Sequence, residues 1–231
     1  MIQKLSVLVS VLLMLSGIAF AKDRSVVVEL YSSQGCSACP PADAYFQKEL
    51  AGRSDIIALS LHVDYWDYIG WKDSFADPSF TARQKLYAKA AGHRTVYTPQ
   101  MIVNGEHHVV GTHPDQIEKL IRSQKKMRSL VDLSISKSGD DLFINATSGT
   151  LSSMQIHVVR YKPKERVDVK RGENAGRVLT YGNIVEDWEV ISDWDGQAPL
   201  ELKTKVQGDA PIVVLVQEEN GGIILAAERL R

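Results

Sequence analysis

Hydrophobic and polar positions follow two different patterns along the chain, and the change comes near residue 125. Before it, short apolar runs typical of buried strands are followed by segments whose apolar residues recur with helical spacing. The predicted order is a strand at 26–31, a helix at 42–50, a strand at 56–63, a helix at 75–91, a hairpin at 101–110 and a helix at 114–124. This alternation predicts an α/β unit with helices on both faces of a central sheet.

After residue 129 the helical spacing disappears, and eight short strand-like runs separated by turns replace it. They cover 130–135, 142–146, 154–161, 177–179, 188–191, 200–206, 212–217 and 223–227. Short strands at this spacing are typical of an antiparallel, immunoglobulin-like sandwich. The polar stretch 122–129 predicts a domain boundary, so we expect an α/β domain at 22–126 and an all-β domain at 127–231.

The first residues have the pattern of an export signal. Lys4 precedes an apolar run at 7–20, and Ala19 and Ala21 give the small-x-small form that signal peptidase accepts. The apolar run is shorter than the ~20 residues that span a bilayer. We therefore expect residues 1–21 to be a cleaved signal peptide, the rest to be periplasmic or secreted, and no membrane contact after cleavage.

Composition excludes several classes of protein. Of the 231 residues, 44% are hydrophobic and 24% are charged, which is ordinary for a globular chain and argues against disorder. The net charge of −1 offers no surplus of Lys and Arg for phosphate contacts, so no nucleic-acid partner is expected. One basic run, from Arg160 to Arg171, is interrupted by Glu165 and Asp168, and we interpret it as a solvated strand or loop.

The two cysteines form a Cys-x-x-Cys motif, Cys36 and Cys39, between a predicted strand and a predicted helix. Three-residue spacing across a turn brings the sulfurs within disulfide reach, and a helix N-terminus stabilises a thiolate there. Such surroundings lower a cysteine pKa from about 8.5 into the range of roughly 3.5 to 7.5. We expect Cys36 to be the nucleophile and Cys39 the resolving thiol, with Pro40 and Pro41 either starting the helix or bending its first turn.

Two other interpretations of the cysteine pair stay open at this stage. Metal sites use the same spacing, and copper or zinc would need a histidine beside both sulfurs. The four histidines of the first half that could serve are more typical of surface or capping positions: His93, His107, His108 and His113. The pair could also be a static disulfide in a binding module. No cofactor is expected, and the oligomeric state is not predicted.

Thr98 and Pro99 precede the strand of the predicted hairpin. A trans proline in a turn is the commoner case, because only about one X–Pro bond in twenty is cis. With a cis bond, backbone groups of Thr98 would be available to an extended polypeptide beside the cysteines. We therefore treat Thr98 and Pro99 as candidate substrate-binding residues.

These motifs together resemble the thioredoxin fold over residues 25–124, with Cys36 and Cys39 matching its redox motif and Pro99 its cis-proline. The stretches 29–43, 62–67, 98–101 and 172–177 look more narrowly like an exported bacterial thioredoxin-like family catalogued as a domain of unknown function. The resemblance implies a thiol–disulfide oxidoreductase acting on protein or peptide thiols. Ser37 and Ala38 replace the familiar Gly-Pro, so the resemblance leaves the direction of electron flow open.

Three further features have both a functional and a structural interpretation. Glu29 lies near the place where thioredoxin-like proteins often hold a buried acid, so it is either a proton acceptor for Cys39 or a solvated residue on an edge strand. The aromatic and polar cluster at 62–71 either contacts substrate or caps a small core. The segment 172–177 is either a binding turn or a glycine-rich hairpin.

Overall fold

The computed structural model describes residues 24–230. The predicted signal peptide, residues 1–21, lies outside the described residues. No helix in the described part of the chain is long and apolar enough to cross a membrane.

Eleven strands and three α-helices make up the described chain. The strands of the first half are β1 (Val27–Ser32), β2 (Ile57–His62), β3 (Gln100–Val103) and β4 (His107–Val110). The helices are α1 (Pro40–Tyr45), α2 (Pro78–Ala90) and α3 (Pro114–Gln124). The strands of the second half are β5 (Val131–Ser138), β6 (Asp141–Ser148), β7 (Met154–Asp168), β8 (Val178–Trp194), β9 (Leu200–Lys205), β10 (Ile212–Glu218) and β11 (Ile224–Leu230).

One mixed eight-stranded sheet runs through both halves, in the order β11-β10-β7-β8-β2-β1-β3-β4. The halves join where β2 and β8 pair in parallel at Ser60 and Ile184. The predicted fold class, an α/β thioredoxin-like domain followed by an immunoglobulin-like sandwich, is therefore wrong. An isolated first-half sheet would leave the edge of β2 unpaired, and β8 satisfies that edge. The domain boundaries at 22–126 and 127–231 stay a prediction.

Three apolar clusters surround this sheet. One cluster lies on the face covered by α2, and includes Tyr31, Leu61 and Tyr87. On the other face, the β1–β4 end packs against α1 and α3. The β7–β10–β11 end packs instead against a separate three-stranded sheet, β5-β6-β9. The two faces of β1 and β2 therefore bury different residues, which decides which side chains can reach α1.

Local elements agree with the sequence predictions at several points and differ at others. The hairpin turn is confirmed, because Asn104 and Gly105 both have positive φ, 51° and 72°, as a type I′ turn requires. The helix predicted at 42–50 is two pieces, α1 and a π-helical turn at Phe46–Leu50. The predicted strands at 177–179 and 188–191 are parts of β8, which forms with β7 a long hairpin whose tip is at 169–177.

Candidate functional site

A disulfide joins Cys36 and Cys39, with their Cα atoms 5.4 Å apart. Cys36 lies in the turn between β1 and α1, and Cys39 is the residue that caps α1. Pro40 and Pro41 occupy the first turn of α1, so the helix begins at Pro40, as one of the two sequence interpretations expects. Both cysteines are buried, at 1% and 0% exposure, whereas Ser37 and Ala38 between them are exposed.

The backbone amides around the disulfide are largely engaged within the turn. Cys39 donates its amide to the Cys36 carbonyl, and Ala42 and Asp43 donate theirs to the Cys39 carbonyl. The two prolines have no amide hydrogen to offer. The helix N-terminus therefore supplies less stabilisation to a Cys36 thiolate than the motif alone suggests.

Gln34, two residues before Cys36, anchors the turn to the loop that follows β2. Its backbone amide donates to Asp73 Oδ2 at 2.7 Å. Its side chain accepts from Trp71 Nε1 at 2.8 Å and donates to Ser74 Oγ at 3.1 Å. Trp71 of the predicted cluster at 62–71 thus helps to hold the turn that carries Cys36 and Cys39.

Asn174, from the tip of the β7–β8 hairpin, holds the same turn from the other side. Its Nδ2 group donates to the carbonyl oxygens of Gln34 and Cys36, both at 2.9 Å. Its Oδ1 accepts from Arg177 at 3.0 Å. Asn174 is 1% exposed, so these bonds are shielded from water. The segment 172–177 is a structural clamp on the residues that flank the cysteine pair.

An Asn174→Ala variant is expected to lower the free energy of unfolding by about 2–3 kcal/mol, because two buried carbonyls lose their donor. Chemical denaturation followed by far-UV circular dichroism measures the loss. Asn145→Ala, at an exposed position of β6, is the matched control and should change stability by less than about 0.5 kcal/mol. Equal losses in the two variants would contradict the clamp.

Thr98 and Pro99 lie against the cysteine pair, as the sequence predicts. The sulfur of Cys36 is 3.9 Å from the Thr98 carbonyl oxygen, and the Thr98–Pro99 peptide bond is cis. The Thr98 hydroxyl accepts a hydrogen bond from Trp66 Nε1 at 2.7 Å. Gly111 donates its amide to the Pro99 carbonyl, which fixes this turn on the sheet. The structure thus brings four predicted site residues together: Cys36, Cys39, Thr98 and Pro99.

A buried polar cluster lies on the face of the sheet that α1 covers. Asp43 of α1 is 4% exposed, and a hydrogen bond from the Ser32 side chain acts to lower its pKa. His62 of β2 is fully buried, and its Nδ1 lies 2.7 Å from Asp73 Oδ2. The ring of Tyr181, from β8, packs edge-on against His62 at 4.8 Å between centroids. Buried ionisable groups this close together are uncommon in protein interiors.

Burial and neighbouring charges shift the pKa values of the ionisable groups in this cluster. Burial raises the pKa of Asp43 to about 7, although the nearby His62 ring acts in the opposite direction. Burial disfavours the charged imidazole, but contact with Asp73 outweighs it and raises the pKa of His62. Asp73 is buried as well, and the same contact lowers its pKa. The cluster can therefore exchange a proton near neutral pH.

Asp43 also shares a helix face with Cys39. Cys39 has helical backbone angles, and Asp43 follows it by four residues on the helix. Side chains at i and i+4 share one helix face, and both of these residues are buried. We therefore expect the Asp43 carboxyl group to lie on the Cys39 side of α1.

Glu29 is buried, and its contacts lie elsewhere. Its carboxylate accepts from Arg83 at 2.8 and 2.9 Å, from Tyr31 at 2.8 Å and from Tyr87 at 2.6 Å. Alternation along β1 puts Glu29 on the α2 face with Val27 and Tyr31, opposite the face that packs against α1. Glu29 is therefore not a solvated residue on an edge strand. Its role as proton acceptor for Cys39 stays a prediction.

The histidines do not converge on the cysteines. Among residues 24–230, no group of three His, Cys, Asp or Glu side chains is placed to hold a metal ion. His93 and His108 pack against each other, 5.3 Å between ring centroids. His107 Nε2 lies 2.8 Å from the amide nitrogen of Gln124. No observation favours the metal-binding alternative.

Sequence reasoning missed two residues of this site. Asp43 had a usable signal, because buried positions 39, 43, 46 and 50 follow one helical stripe, and a charged residue on such a stripe is unusual. Asn174 lies in the stretch 172–177, which the sequence offered as a binding turn or a hairpin, but no neighbouring residue indicates its contact with Cys36, which is 138 residues away.

Comparisons with known proteins agree with this description of one continuous fold. A protein from Agrobacterium tumefaciens, whose crystal structure was determined as a structural genomics target, is 33% identical. The two structures align with a TM-score of 0.77 over 90% of this chain and 95% of that chain. No curated protein matches the sequence. Residues 27–217 match the family model described as a protein of unknown function (DUF1223), so this chain belongs to the DUF1223 family.

Proposed function

We propose that this protein is an exported thiol–disulfide oxidoreductase that acts on protein or peptide thiols through Cys36 and Cys39. The observation that carries the proposal is the disulfide between these residues, with the Cys36 sulfur against the Thr98 carbonyl and a buried acid, Asp43, four residues after Cys39 on the same helix.

The reaction transfers two electrons by two thiol–disulfide exchanges. A substrate thiolate attacks the Cys36 sulfur, a bond forms between these two sulfurs, and Cys39 leaves as a thiolate. A second substrate thiolate then attacks the substrate sulfur of this mixed disulfide, and Cys36 leaves. The substrate dithiol is oxidised to a disulfide, and the Cys36–Cys39 disulfide is reduced to two thiols. The reverse sequence reduces a substrate disulfide, with Cys36 as the attacking thiolate.

Asp43 supplies the proton that this exchange needs. When Cys39 leaves, the neutral carboxyl group of Asp43 gives its proton to the sulfur, and the carboxylate takes a proton back when Cys39 attacks. A pKa of about 7 suits both directions at neutral pH. The charge of the nearby His62 ring acts to lower the pKa of Asp43.

Thr98 and Pro99 form the surface on which the substrate backbone lies. The hydrogen bond from Trp66 fixes the Thr98 side chain, and exposed Tyr97 and Val110 lie beside this turn. Because Cys36 is 1% exposed, a substrate sulfur reaches it only after a small displacement of the segments packed around the turn.

Single-turnover oxidation of a dithiol peptide tests the proposal. Oxidised protein should convert one equivalent of peptide to its disulfide and gain two free thiols, both measured by mass spectrometry. Cys36→Ser should abolish this reaction, and Cys39→Ser should trap a mixed disulfide with a peptide disulfide. Ser136→Ala, at an exposed position of β5, is the matched control and should react like wild type.

The proposal fails if Cys36→Ser oxidises the peptide as fast as the unmodified protein. It also fails if the Cys36–Cys39 disulfide survives prolonged exposure to excess dithiol peptide in the folded protein. That second result would instead identify a static disulfide, which is the binding-module interpretation.

A further inference from the structure

A glutamine lies in the middle of the buried face of α2. The buried positions of this helix follow one stripe with helical spacing: Phe80, Thr81, Gln84, Tyr87 and Ala88. Gln84 is 0% exposed. A glutamine side chain carries two N–H donors and a carbonyl acceptor, and burying them without partners is unfavourable. The partners of Gln84 therefore explain why a glutamine, and not an apolar residue, occupies this position.

The side chain of Gln84 holds the segment that contains Thr98 and Pro99 from both sides. Its Nε2 group donates to the carbonyl oxygen of Tyr97 at 2.8 Å and to Oε1 of Gln100 at 2.7 Å. Tyr97 directly precedes Thr98, and Gln100 directly follows Pro99. Both donors of the amide are thus used, one on each side of the candidate substrate-binding turn.

The acceptor of Gln84 extends these contacts towards the side chain of Thr98. Tyr65, in the loop after β2, donates its hydroxyl to Gln84 Oε1 at 3.1 Å. Burial raises the pKa of Tyr65 to about 12, and hydrogen bonds with Gln84 and Thr98 act in the opposite direction. Trp66 donates to the Thr98 hydroxyl at 2.7 Å. One set of hydrogen bonds, which includes Gln84, therefore holds both the side chain of Thr98 and the backbone beside it.

The contacts that hold the cysteine turn come from other residues. Gln34 anchors that turn to the loop after β2, and Asn174 donates to the carbonyl oxygen of Cys36. Gln84 belongs to α2, which covers the face of the sheet opposite α1. A change at Gln84 should therefore move the segment that contains Thr98 and leave the surroundings of the disulfide in place.

We infer that Gln84 is a positioning residue for substrate binding, which holds the Thr98 backbone where the substrate polypeptide lies. The inference rests on the proposed function, and adds to it a residue that affects the binding of a polypeptide more than the exchange between sulfurs. Loss of such a residue raises the substrate concentration that gives half the maximal rate, and leaves the maximal rate nearly unchanged.

Single-turnover oxidation at several substrate concentrations tests the inference with the oxidised protein. A dithiol peptide is compared with dithiothreitol, which has no peptide backbone to lie against Thr98. Gln84→Met keeps the length of the side chain and removes its hydrogen bonds. It should raise the half-saturating peptide concentration about 10-fold, or lower the second-order rate by that factor if the rate does not saturate. The plateau rate and the rate with dithiothreitol should stay within about 2-fold of the wild type.

Gln124→Met is the matched control, because Gln124 is also a buried glutamine of a helix. Its Oε1 accepts from Arg24 and from Asn104, both at 3.1 Å. Arg24 precedes β1 and Cys36 follows it, so these contacts lie at the other end of that strand. The control should keep the half-saturating peptide concentration of the wild type.

Tyr65→Phe is a second variant, which removes the hydroxyl group between Gln84 and Thr98 and keeps the ring. It should raise the half-saturating peptide concentration about 3-fold, because one hydrogen bond of the set is lost. The rate with dithiothreitol should again stay near that of the wild type. If Gln84→Met does not fold, this variant decides the question, and the absence of any rise would overturn the inference.

An unchanged half-saturating concentration in Gln84→Met would overturn the inference and leave the proposed function intact. An equal fall in the rates with the peptide and with dithiothreitol would do the same, because Gln84 would then act on the cysteine pair or on the fold as a whole. The same rise in Gln124→Met would also overturn it, since a general loss of packing would explain the data. Failure of the wild type to oxidise the peptide would overturn both proposals.

Discussion

An Arg83→Met variant is expected to unfold with a free energy about 3–5 kcal/mol lower than the wild type, because it leaves Glu29 as a buried charge without its partner. Glu29 is 0% exposed and the Arg83 side chain 11% exposed. The guanidinium makes two hydrogen bonds to Glu29 and one to Gln217 at 2.9 Å. It also lies 3.8 Å from the centre of the Trp188 ring.

These contacts explain why the expected loss is large. Arg83 belongs to α2 and Glu29 to β1, whereas Trp188 and Gln217 belong to β8 and β10. The pair therefore links strands from both halves of the sheet. Removing one member leaves the other buried without a partner that offsets its desolvation, and it also removes packing across this junction.

Urea unfolding at pH 7 measures the effect, with Lys125→Met as the control because Lys125 pairs with Asp55 at the surface. The control should lose less than about 1 kcal/mol. A double variant, Glu29→Gln with Arg83→Met, should recover part of the loss, since no charge is then buried alone. A loss of under about 1 kcal/mol in Arg83→Met would contradict this account of the pair.

An Asp43→Asn variant is expected to change both the pH dependence of stability and the rate of exchange. The folded pKa of Asp43 is about 7, above its ordinary value of 3.8. A raised carboxyl pKa gives stability that is present below pH 4 and is lost as the pH rises through 7. Between pH 4 and pH 8 the wild type should therefore lose, relative to the asparagine variant, on the order of 4 kcal/mol.

Other groups around Asp43 titrate or carry charge and are the same in both proteins. They come from β2, the following loop and β8, and they are His62, Asp73 and Tyr181. The raised pKa of His62 also makes the free energy of unfolding of the wild type fall as the pH rises. The Asp43 charge also raises the pKa of His62, so the difference between the two proteins across pH 4–8, measured by urea unfolding, reports Asp43 together with its coupling to His62. A constant difference between them would contradict the raised pKa.

The exchange rate of Asp43→Asn should fall by about 10²-fold at pH 7, because asparagine neither gives nor takes a proton. Single-turnover oxidation of the dithiol peptide measures it. A rate that is lower by a pH-independent factor would indicate a structural effect alone. Loss of the wild-type inflection near pH 7 is the result that a proton-transfer role predicts.

The sequence by itself determined the short-range features of this protein. The apolar run at 56–63 predicted a strand, and the structure places β2 (Ile57–His62) there. The Asn104–Gly105 turn, helix α3 and the cysteine pair at the start of α1 also follow from neighbouring residues. These features depend on backbone preferences and side-chain spacing within a few residues.

Only the tertiary structure decided which strands pair and what surrounds the cysteines. Hydrophobic alternation shows which face of a strand is buried, but it does not show which strand lies at its edge, so the pairing of β2 with β8 could not be read. Contacts between Asn174 and Cys36, or between Arg83 and Gln217, join residues more than 130 positions apart. Such contacts arise from the packing of the whole sheet, which is the reason that the Cys-x-x-Cys motif could be found in the sequence while its supports could not.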